Sequence, residues 1–193
     1  MSDDVLVRCG WAEIRPGSDF ELYRDYHDQE WGRPVRDGVA LFERLSLEAF
    51  QSGLSWLVIL RKRENFRRAF ARFDIEQVAG YTDADVQRLM AYDGIVRNRA
   101  KIEATIANAR AAAELGTPMG LAELLWSFAP SPRPRPAHGF EIPSATAESQ
   151  AMARELKRRG FRFVGPTIAY ALMQATGMVD DHIRDCWVPM AAR

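Results

Sequence analysis

Four side chains near the two ends of the chain have the types that could hold a metal ion. His182 and Cys186 are spaced i, i+4, so a helical face would present both, and Cys9 and His27 lie near the opposite end. Together they form a Cys2His2 set, the donor set of a closed tetrahedral structural zinc site. The set uses both cysteines and two of the three histidines of the chain. The alternative is two buried cysteines and two ordinary histidines, because the spacing is not that of a compact zinc finger. A zinc ion there would staple the two ends together and contribute folding free energy, and four protein ligands would leave no open position for catalysis.

A second candidate is Glu48. It follows Leu41 by seven residues and Leu45 by three, so it projects from an apolar helical stripe, where a carboxylate is desolvated and needs a partner. It could be a structural carboxylate bonded to a helix end or an arginine, or the floor of a pocket. Gln51 and Trp56 follow it closely, and Tyr23, Tyr26 and Trp31 precede it. Aromatic rings beside a buried carboxylate suit a flat, cationic or electron-poor heterocycle: the rings stack, and the carboxylate accepts from an exocyclic amine. The same aromatics could equally be core. A third candidate is the turn Asp93-Gly94-Ile95-Val96, with Arg97, Arg99 and Lys101 just beyond it. An apolar-Gly-apolar turn entering a helix frees amide N–H groups that bind phosphate, whereas a plain αα-hairpin has the same pattern.

Helical periods dominate the elements that would position these residues, strand-like alternation is scarce, and no internal repeat is visible. The apolar stripe of Leu41, Phe42, Leu45 and Ala49 predicts a helix over about 39–52, and another is expected over about 64–72. Thr82 and Asp85 resemble a capping box opening a short helix to about Ala91, and a long helix follows from about Asn98 to Leu115, closed by Gly116. The proline-rich stretch 129–143 is read as a surface loop. Thr146 starts a helix with Glu148 in its first turn, Lys157, Arg158 and Arg159 in its last, and Gly160 after it. An apolar helix over about 166–176 begins at Pro166, and Asp180 or Asp181 is expected to cap a final short helix.

At 193 residues and 47% hydrophobic content, the chain is large enough for one compact domain or two small lobes. No run of 18 apolar residues and no signal-peptide core is visible, so the expectation is a cytoplasmic protein without membrane association. A net charge of zero excludes a protein held on nucleic acid by bulk charge alone. The distribution is uneven. Residues 1–60 carry 11 acidic and 6 basic side chains, and residues 61–72 carry 6 basic and 1 acidic. Such clusters are either solvated faces or a nucleic-acid footprint.

Several segments together carry a family resemblance: Arg8-Cys9-Gly10-Trp11, YHDQEWG at 26–32, LFERLSLEAFQSGLSW at 41–56, RKRENFRRAFARFD at 61–74, DGIVRNRAKI at 93–102, LWSF at 125–128, IPSATAES at 142–149, and LKRRGFRFVGPTIAYALMQATGMVDDH at 156–182. In order and over nearly the whole chain, they resemble the type I 3-methyladenine DNA glycosylases, a divergent branch of the helix-hairpin-helix glycosylases. The resemblance implies an all-α, helix-hairpin-helix fold with a zinc site joining the N- and C-terminal segments. It implies a single catalytic unit of two lobes, with a helix-hairpin-helix lobe at about 35–160 and a zinc-binding lobe formed by about 1–34 and 161–193. Cys9, His27, His182 and Cys186 fall on the zinc ligands. Glu48 matches the base-recognising carboxylate, and Tyr26 and Trp56 match catalytic pocket residues lined by Tyr23, Trp31, Gln51 and Trp11. Gly53 and Leu54 match the loop that probes the duplex. Gly94, Ile95, Val96, Arg97, Arg99 and Lys101 are assigned to the backbone contact.

The activity this implies is flipping and excision of 3-methyladenine from alkylated double-stranded DNA, with the free base as product and a monomeric enzyme. A base inside a duplex is unreachable, so it must be extruded. Methylation at N3 makes adenine cationic and already a good leaving group. Glu48 then acts by electrostatics and hydrogen bonding, and rejects unmethylated adenine by weaker attraction. About twenty residues past the hairpin, where most helix-hairpin-helix glycosylases carry an aspartate, the chain reads AAAELG at 111–116, and no matching lysine nucleophile is present. Lyase activity is therefore not expected. The competing expectation is a non-catalytic, zinc-stabilised binder of modified bases or DNA.

Overall fold

The computed structural model describes residues 6–13, 18–116 and 118–190. Nine α-helices are assigned among them, with no strand: α1 (Ser18–Gln29), α2 (Gly38–Gln51), α3 (Trp56–Ala69), α4 (Ile75–Ala79), α5 (Asp83–Ala91), α6 (Arg99–Ala113), α7 (Pro118–Trp126), α8 (Ala147–Arg158) and α9 (Pro166–Ala175). The all-α expectation holds.

The central element is α2. The Asp37 side chain starts it by accepting from the Ala40 amide at 2.8 Å. Leu41, Phe42, Leu45, Leu47 and Phe50 are then fully buried, so this helix is apolar on more than one face and must be wrapped on several sides. It packs against α3, α6, α7 and α9. The buried polar residues of this helix are Ser46 and Glu48, and only Glu48 carries a titratable group.

The helix expected over 64–72 is longer at its start and ends sooner. Its buried face already includes Trp56, Leu57, Ile59 and Leu60, so α3 begins at Trp56. It stops at Ala69 because Ala71, Arg72 and Phe73 take positive φ, a turn that drives the Phe73 ring into the core. The capping box of α5 is present, with the Thr82 amide donating to Asp85 at 2.9 Å. The predicted long helix is α6, capped by Asn98, whose side chain accepts from the Lys101 amide at 3.1 Å. The final short helix expected after Asp180 does not form. Residues 180–190 run as turns, held by arginines of the proline-rich loop and by the cysteine and histidine cluster.

That loop is pinned along the C-terminal segment. Arg135 donates to Asp180 at 3.0 Å, Arg133 to Asp181 at 2.8 Å, and the Arg184 amide to the Pro136 carbonyl at 2.8 Å. The alternation of arginine and proline over 132–136 makes this possible: proline keeps the strand extended and arginine supplies side-chain donors.

The uneven charge also has a structural outcome. Arg61 pairs with Asp19, Arg63 with Glu30, and Arg67 with Glu43 and Glu64. The basic stretch of α3 is therefore largely spent on the acidic N-terminal third of the same chain.

Candidate active site and metal centre

Glu48 lies at the floor of a cavity of about 360 Å³ lined by Trp11, Tyr23, Tyr26, Trp31, Gln51, Trp56, Gly139, Ile142, Ala171 and Gln174. The structure thus brings together all seven pocket residues expected from the sequence. α2 supplies Glu48 and Gln51, α1 supplies Tyr23 and Tyr26, and the first residue of α3 supplies Trp56. The rings form a chain of edge and tilted contacts: Tyr26 to Trp56 at 5.3 Å, Trp11 to Tyr23 at 5.6 Å and Trp11 to Trp31 at 5.2 Å between centroids.

Two polar groups of this cavity are left without internal partners. Among the described residues no hydrogen bond reaches the Glu48 carboxylate, which is 5% exposed. Burial pushes its pKa from the ordinary 4.5 up to about 8, and the nearby Arg44 guanidinium partly opposes this. Arg44 is itself held by Glu30 at 2.6 Å, and Glu30 is shared with Arg63 at 2.7 and 2.8 Å, so the network behind the pocket keeps a net positive charge. The Trp56 Nε1–H is buried and unpaired. Burial, with Glu48 close by, pushes the Tyr26 phenol far above its ordinary range, so it stays a neutral O–H donor. A buried carboxyl and a buried indole N–H without partners are costly in an isolated fold. They are the features of a site completed by a ligand with both donors and acceptors.

A second cavity of about 370 Å³ shares Glu48 and Gln51 and continues along Ser52, Gly53, Leu54 and the start of α9 at Gly165, Pro166, Thr167 and Ile168. Gly53 has φ +81°, a backbone conformation that strains other residues, and the turn it makes leaves Leu54 40% exposed at the rim.

Lys101 is not part of an exposed phosphate-binding surface. It is 7% exposed, and its ammonium donates to the Phe50 carbonyl at 2.9 Å and the Ser52 carbonyl at 2.6 Å. It closes the C-terminal end of α2 and fixes the turn that carries Gly53 and Leu54. Its charge and its spacing from Arg97 and Arg99 made it look like a surface cation, but α6 turns it inward. Arg97 and Arg99 are exposed, with Arg99 3.4 Å from Glu103. Gly94 permits the close approach of the Tyr92 ring, which a Cβ would meet at 2.3 Å, and Ile95 is core. The Asn98 side chain occupies one of the free amides at the start of α6.

The four metal-type residues meet. One ligand atom from each of Cys9, His27, His182 and Cys186 lies within 4.8 Å of the others, and all four residues are buried. Cys186 Sγ is 3.4 Å from His182 Nδ1 and 3.6 Å from His27 Nε2, and Cys9 Sγ is 3.6 Å from His182 Nδ1. The second nitrogens are already engaged. His27 Nδ1 faces Asp28 at 2.7 Å, and His182 Nε2 faces the Trp31 carbonyl at 3.2 Å. These bonds orient both rings toward the cluster. Hydrogen bonding from Cys9, with the two imidazoles adding to it, lowers Cys186, while the same bond and burial raise Cys9. The donor set fits a metal ion. Of the residues between Cys9 and His27, 14–17 lie outside the described residues.

Chain-wide comparison agrees with this geometry. The sequence matches the profile of the methyladenine glycosylase family over residues 17–189. The chain belongs to that family. It is 46% identical over 187 residues to DNA-3-methyladenine glycosylase 1 of Escherichia coli (strain K12), covering 94% of this chain and 96% of the relative. It is 40% identical over 185 residues to the DNA-3-methyladenine glycosylase of Haemophilus influenzae, covering 94% and 97%. A crystal structure of a 3-methyladenine DNA glycosylase I is similar with a TM-score of 0.87 at 44% identity, over 94% of this chain and 98% of that one. A further structure at 33% identity and a TM-score of 0.86, over 94% and 97%, is of a Tyr-to-Phe variant of such an enzyme in complex with 3-methyladenine.

Two features of this methyladenine glycosylase family member were missed in the sequence. One is the hairpin between α8 and α9, where a groove is lined by Arg154, Lys157, Arg162, Phe163 and the start of α9. Gly160 has φ +92° and Phe163 has φ +55°. Asn108, buried on α6, clamps the turn by donating to the Arg162 carbonyl at 3.0 Å and accepting from its amide at 2.6 Å. Pro166 occupies the first turn of α9, no side chain caps that helix, and its first residues line the second cavity. The signal was present as GFRFVGP, an apolar-Gly-Pro entry to a helix preceded by basic residues. The other is Gln174 with its partner Asp181. A single glutamine and a second aspartate have no periodicity that separates them from ordinary polar positions.

Proposed function

We propose that this chain is a monofunctional DNA glycosylase that flips 3-methyladenine out of alkylated DNA and hydrolyses its N-glycosidic bond. The observation that carries the reading is the buried, unpartnered Glu48 carboxyl beneath the Tyr26 and Trp56 rings, in a cavity of about 360 Å³. Ionising Glu48 in the empty pocket is unfavourable, and a cationic base restores the balance. The site therefore favours the N3-methylated base over neutral adenine. The Tyr26 and Trp56 rings enclose the base, stacking where they meet it face-on and donating from the Trp56 N–H or the Tyr26 O–H where they meet it edge-on. Because the methylated base leaves as a neutral purine, it needs no proton from the protein.

Leu54, on the turn fixed by Lys101, fills the space left in the stack. Two helix starts contact backbone phosphate. The uncapped α9 N-terminus lines the second cavity, which adjoins the base pocket through Glu48 and Gln51, with Arg154, Lys157 and Arg162 alongside and without ion-pair partners among the described residues. Gly94, Ile95, Val96, Arg97 and Arg99 form the more peripheral turn.

The metal is zinc, and its role is structural. Bonds of about 2.0–2.3 Å in a tetrahedral site set neighbouring sulfur and nitrogen donors about 3.6 Å apart, close to the separations in the cluster. Four protein ligands leave it no open position. The pocket draws Trp11 to Trp31 and Ala171 to Gln174 from the zinc-bearing ends, and Glu48 to Trp56, Gly139 and Ile142 from the intervening 35–160 portion. This supports two lobes meeting at the base site as one catalytic unit. No helix among the described residues is long and apolar enough to cross a membrane, and a monomer acting in the cytoplasm completes the reading.

The test is release of free base from methylated duplex DNA, resolved by chromatography, with Glu48→Gln alongside. Release by the native chain and its loss in the variant supports the assignment. A folded, zinc-loaded sample that binds lesion DNA and releases nothing would replace it with a binding module.

A further inference from the structure

We propose that Gln174, locked by Asp181, sets the choice between 3-methyladenine and 3-methylguanine by presenting an amide oxygen to the edge on which the two bases differ. The inference rests on the glycosylase reading of the same pocket and assigns a specificity residue within it.

Gln174 sits on α9 and lines the base cavity together with Glu48. Its Nε2 donates to Asp181 Oδ2 at 2.9 Å. Asp181 is 1% exposed and is built into a network that offers it only donors: the Tyr170 hydroxyl at 2.5 Å on the same oxygen, and the Arg133 guanidinium at 2.8 Å on the other. Arg133 also donates to the Tyr170 hydroxyl at 2.7 Å. Every partner of Asp181 is a donor, the Gln174 nitrogen among them, so the Gln174 amide has one orientation that fits this arrangement. Turning it over would set its carbonyl oxygen against the carboxylate. The nitrogen is thereby committed to Asp181, and the oxygen is the group left for a ligand.

The two lesions differ at C6, N1 and C2, and C6 is the position that faces an acceptor in this pose. Adenine carries an exocyclic amine with two N–H donors, where guanine carries a carbonyl oxygen. Glu48 accepts one amine hydrogen and the Gln174 oxygen accepts the other. Guanine in the same pose sets its oxygen against the Gln174 oxygen, and a site built to bond an N–H discriminates strongly against an analogue that lacks it. Gln174 is a specificity residue that touches the base. Asp181 is a positioning residue, acting through the orientation of that amide. The proline-rich loop has a share in this, because its Arg133 donates to the second oxygen of Asp181 and to the Tyr170 hydroxyl.

The experiment measures release of both bases from one methylated duplex, by wild type, Gln174→Ala and Asp181→Asn, as the ratio of 3-methyladenine to 3-methylguanine. Binding of each free base is followed in parallel by tryptophan fluorescence. Gln174→Ala is expected to lower the release ratio by about tenfold or more, chiefly by slowing 3-methyladenine, and to lower the free-base preference equally. Asp181→Asn offers an N–H where the carboxylate offered only oxygens, lets the amide turn, and moves the ratio in the same direction. A general loss of structure slows both bases together and leaves the ratio unchanged, so the ratio separates positioning from folding. An unchanged ratio and unchanged free-base preference in Gln174→Ala would overturn the inference even if both activities fall. If wild type releases neither base but binds 3-methyladenine preferentially, and Gln174→Ala abolishes that preference, the inference stands and the catalytic reading fails.

Discussion

Replacing Glu48 by glutamine should stabilise the free protein while disabling it, and the size of the gain follows from the pocket. Burial raises the Glu48 pKa from 4.5 to about 8, at a residue with no hydrogen-bond partner among the described residues. A carboxyl whose pKa is higher folded than unfolded contributes stability fully present below the unfolded value and lost as pH rises through the folded one. Every tenfold change in an ionisation constant between the folded and unfolded chain corresponds to about 1.36 kcal/mol, so the ionisation penalty is near zero at pH 4, about 3 kcal/mol at pH 7 and about 5 kcal/mol above pH 8. Glutamine has nearly the same shape and no charge, so Glu48→Gln removes this pH-dependent penalty. Urea unfolding of both proteins at pH 5, 7 and 9 measures it, with unfolding slopes compared to exclude a change in the unfolded ensemble. The stability difference should grow in the variant's favour with pH, by several kcal/mol between pH 5 and pH 9. A variant that is equally or less stable at pH 9 would show that Glu48 is a satisfied structural carboxylate, and would refute the ligand-completed pocket.

Other residues give independent checks. Lys101→Met leaves the Phe50 and Ser52 carbonyls without their donor, so it should cost about 1–3 kcal/mol in denaturant unfolding and leave the salt dependence of DNA binding unchanged, whereas Lys157→Ala should reduce that salt slope by about one counterion with little effect on stability. Removing the metal with a chelator, or replacing Cys186 by serine, should lower the melting temperature and weaken base binding together, because His182 holds the carbonyl of Trp31, a pocket wall. Binding of free 3-methyladenine to the metal-free protein, read by tryptophan fluorescence, checks this. Leu54→Ala should slow excision from duplex DNA by about tenfold while leaving affinity for the free base unchanged, since Leu54 lies at the cavity rim and acts on the duplex.

Residue types and spacing raised each part of this site as one of two readings, the family resemblance chose between them, and the exceptions have specific causes. The α2 stripe marked Glu48 as inward-facing, and the nearby aromatics marked what it faces, because helical periodicity and burial are local properties. The metal set was legible from its chemistry, although His182 and Cys186 meet across turns and not along the expected helix. Lys101 was misplaced because a lysine next to two surface arginines reads as surface, and its carbonyl partners lie 49 and 51 residues away in the chain. The α8–α9 hairpin was overlooked in favour of the Asp93–Val96 turn because both show an apolar-glycine entry to a helix. What separates them is tertiary: only the α9 start adjoins the base cavity. Gln174 gained its meaning solely from contact with Asp181.

The central claim is that an ionised Glu48 in this pocket selects and excises a cationic base. The most direct measurement is single-turnover release of 3-methyladenine from methylated duplex DNA between pH 6 and pH 9, for the native chain and Glu48→Gln. The native rate constant divided by its half-saturating concentration should rise with pH to a midpoint near 8, where Glu48 ionises, and Glu48→Gln should be roughly 100-fold slower and lack that rise. A flat native profile, or a variant that keeps both the rate and the rise, would contradict the account.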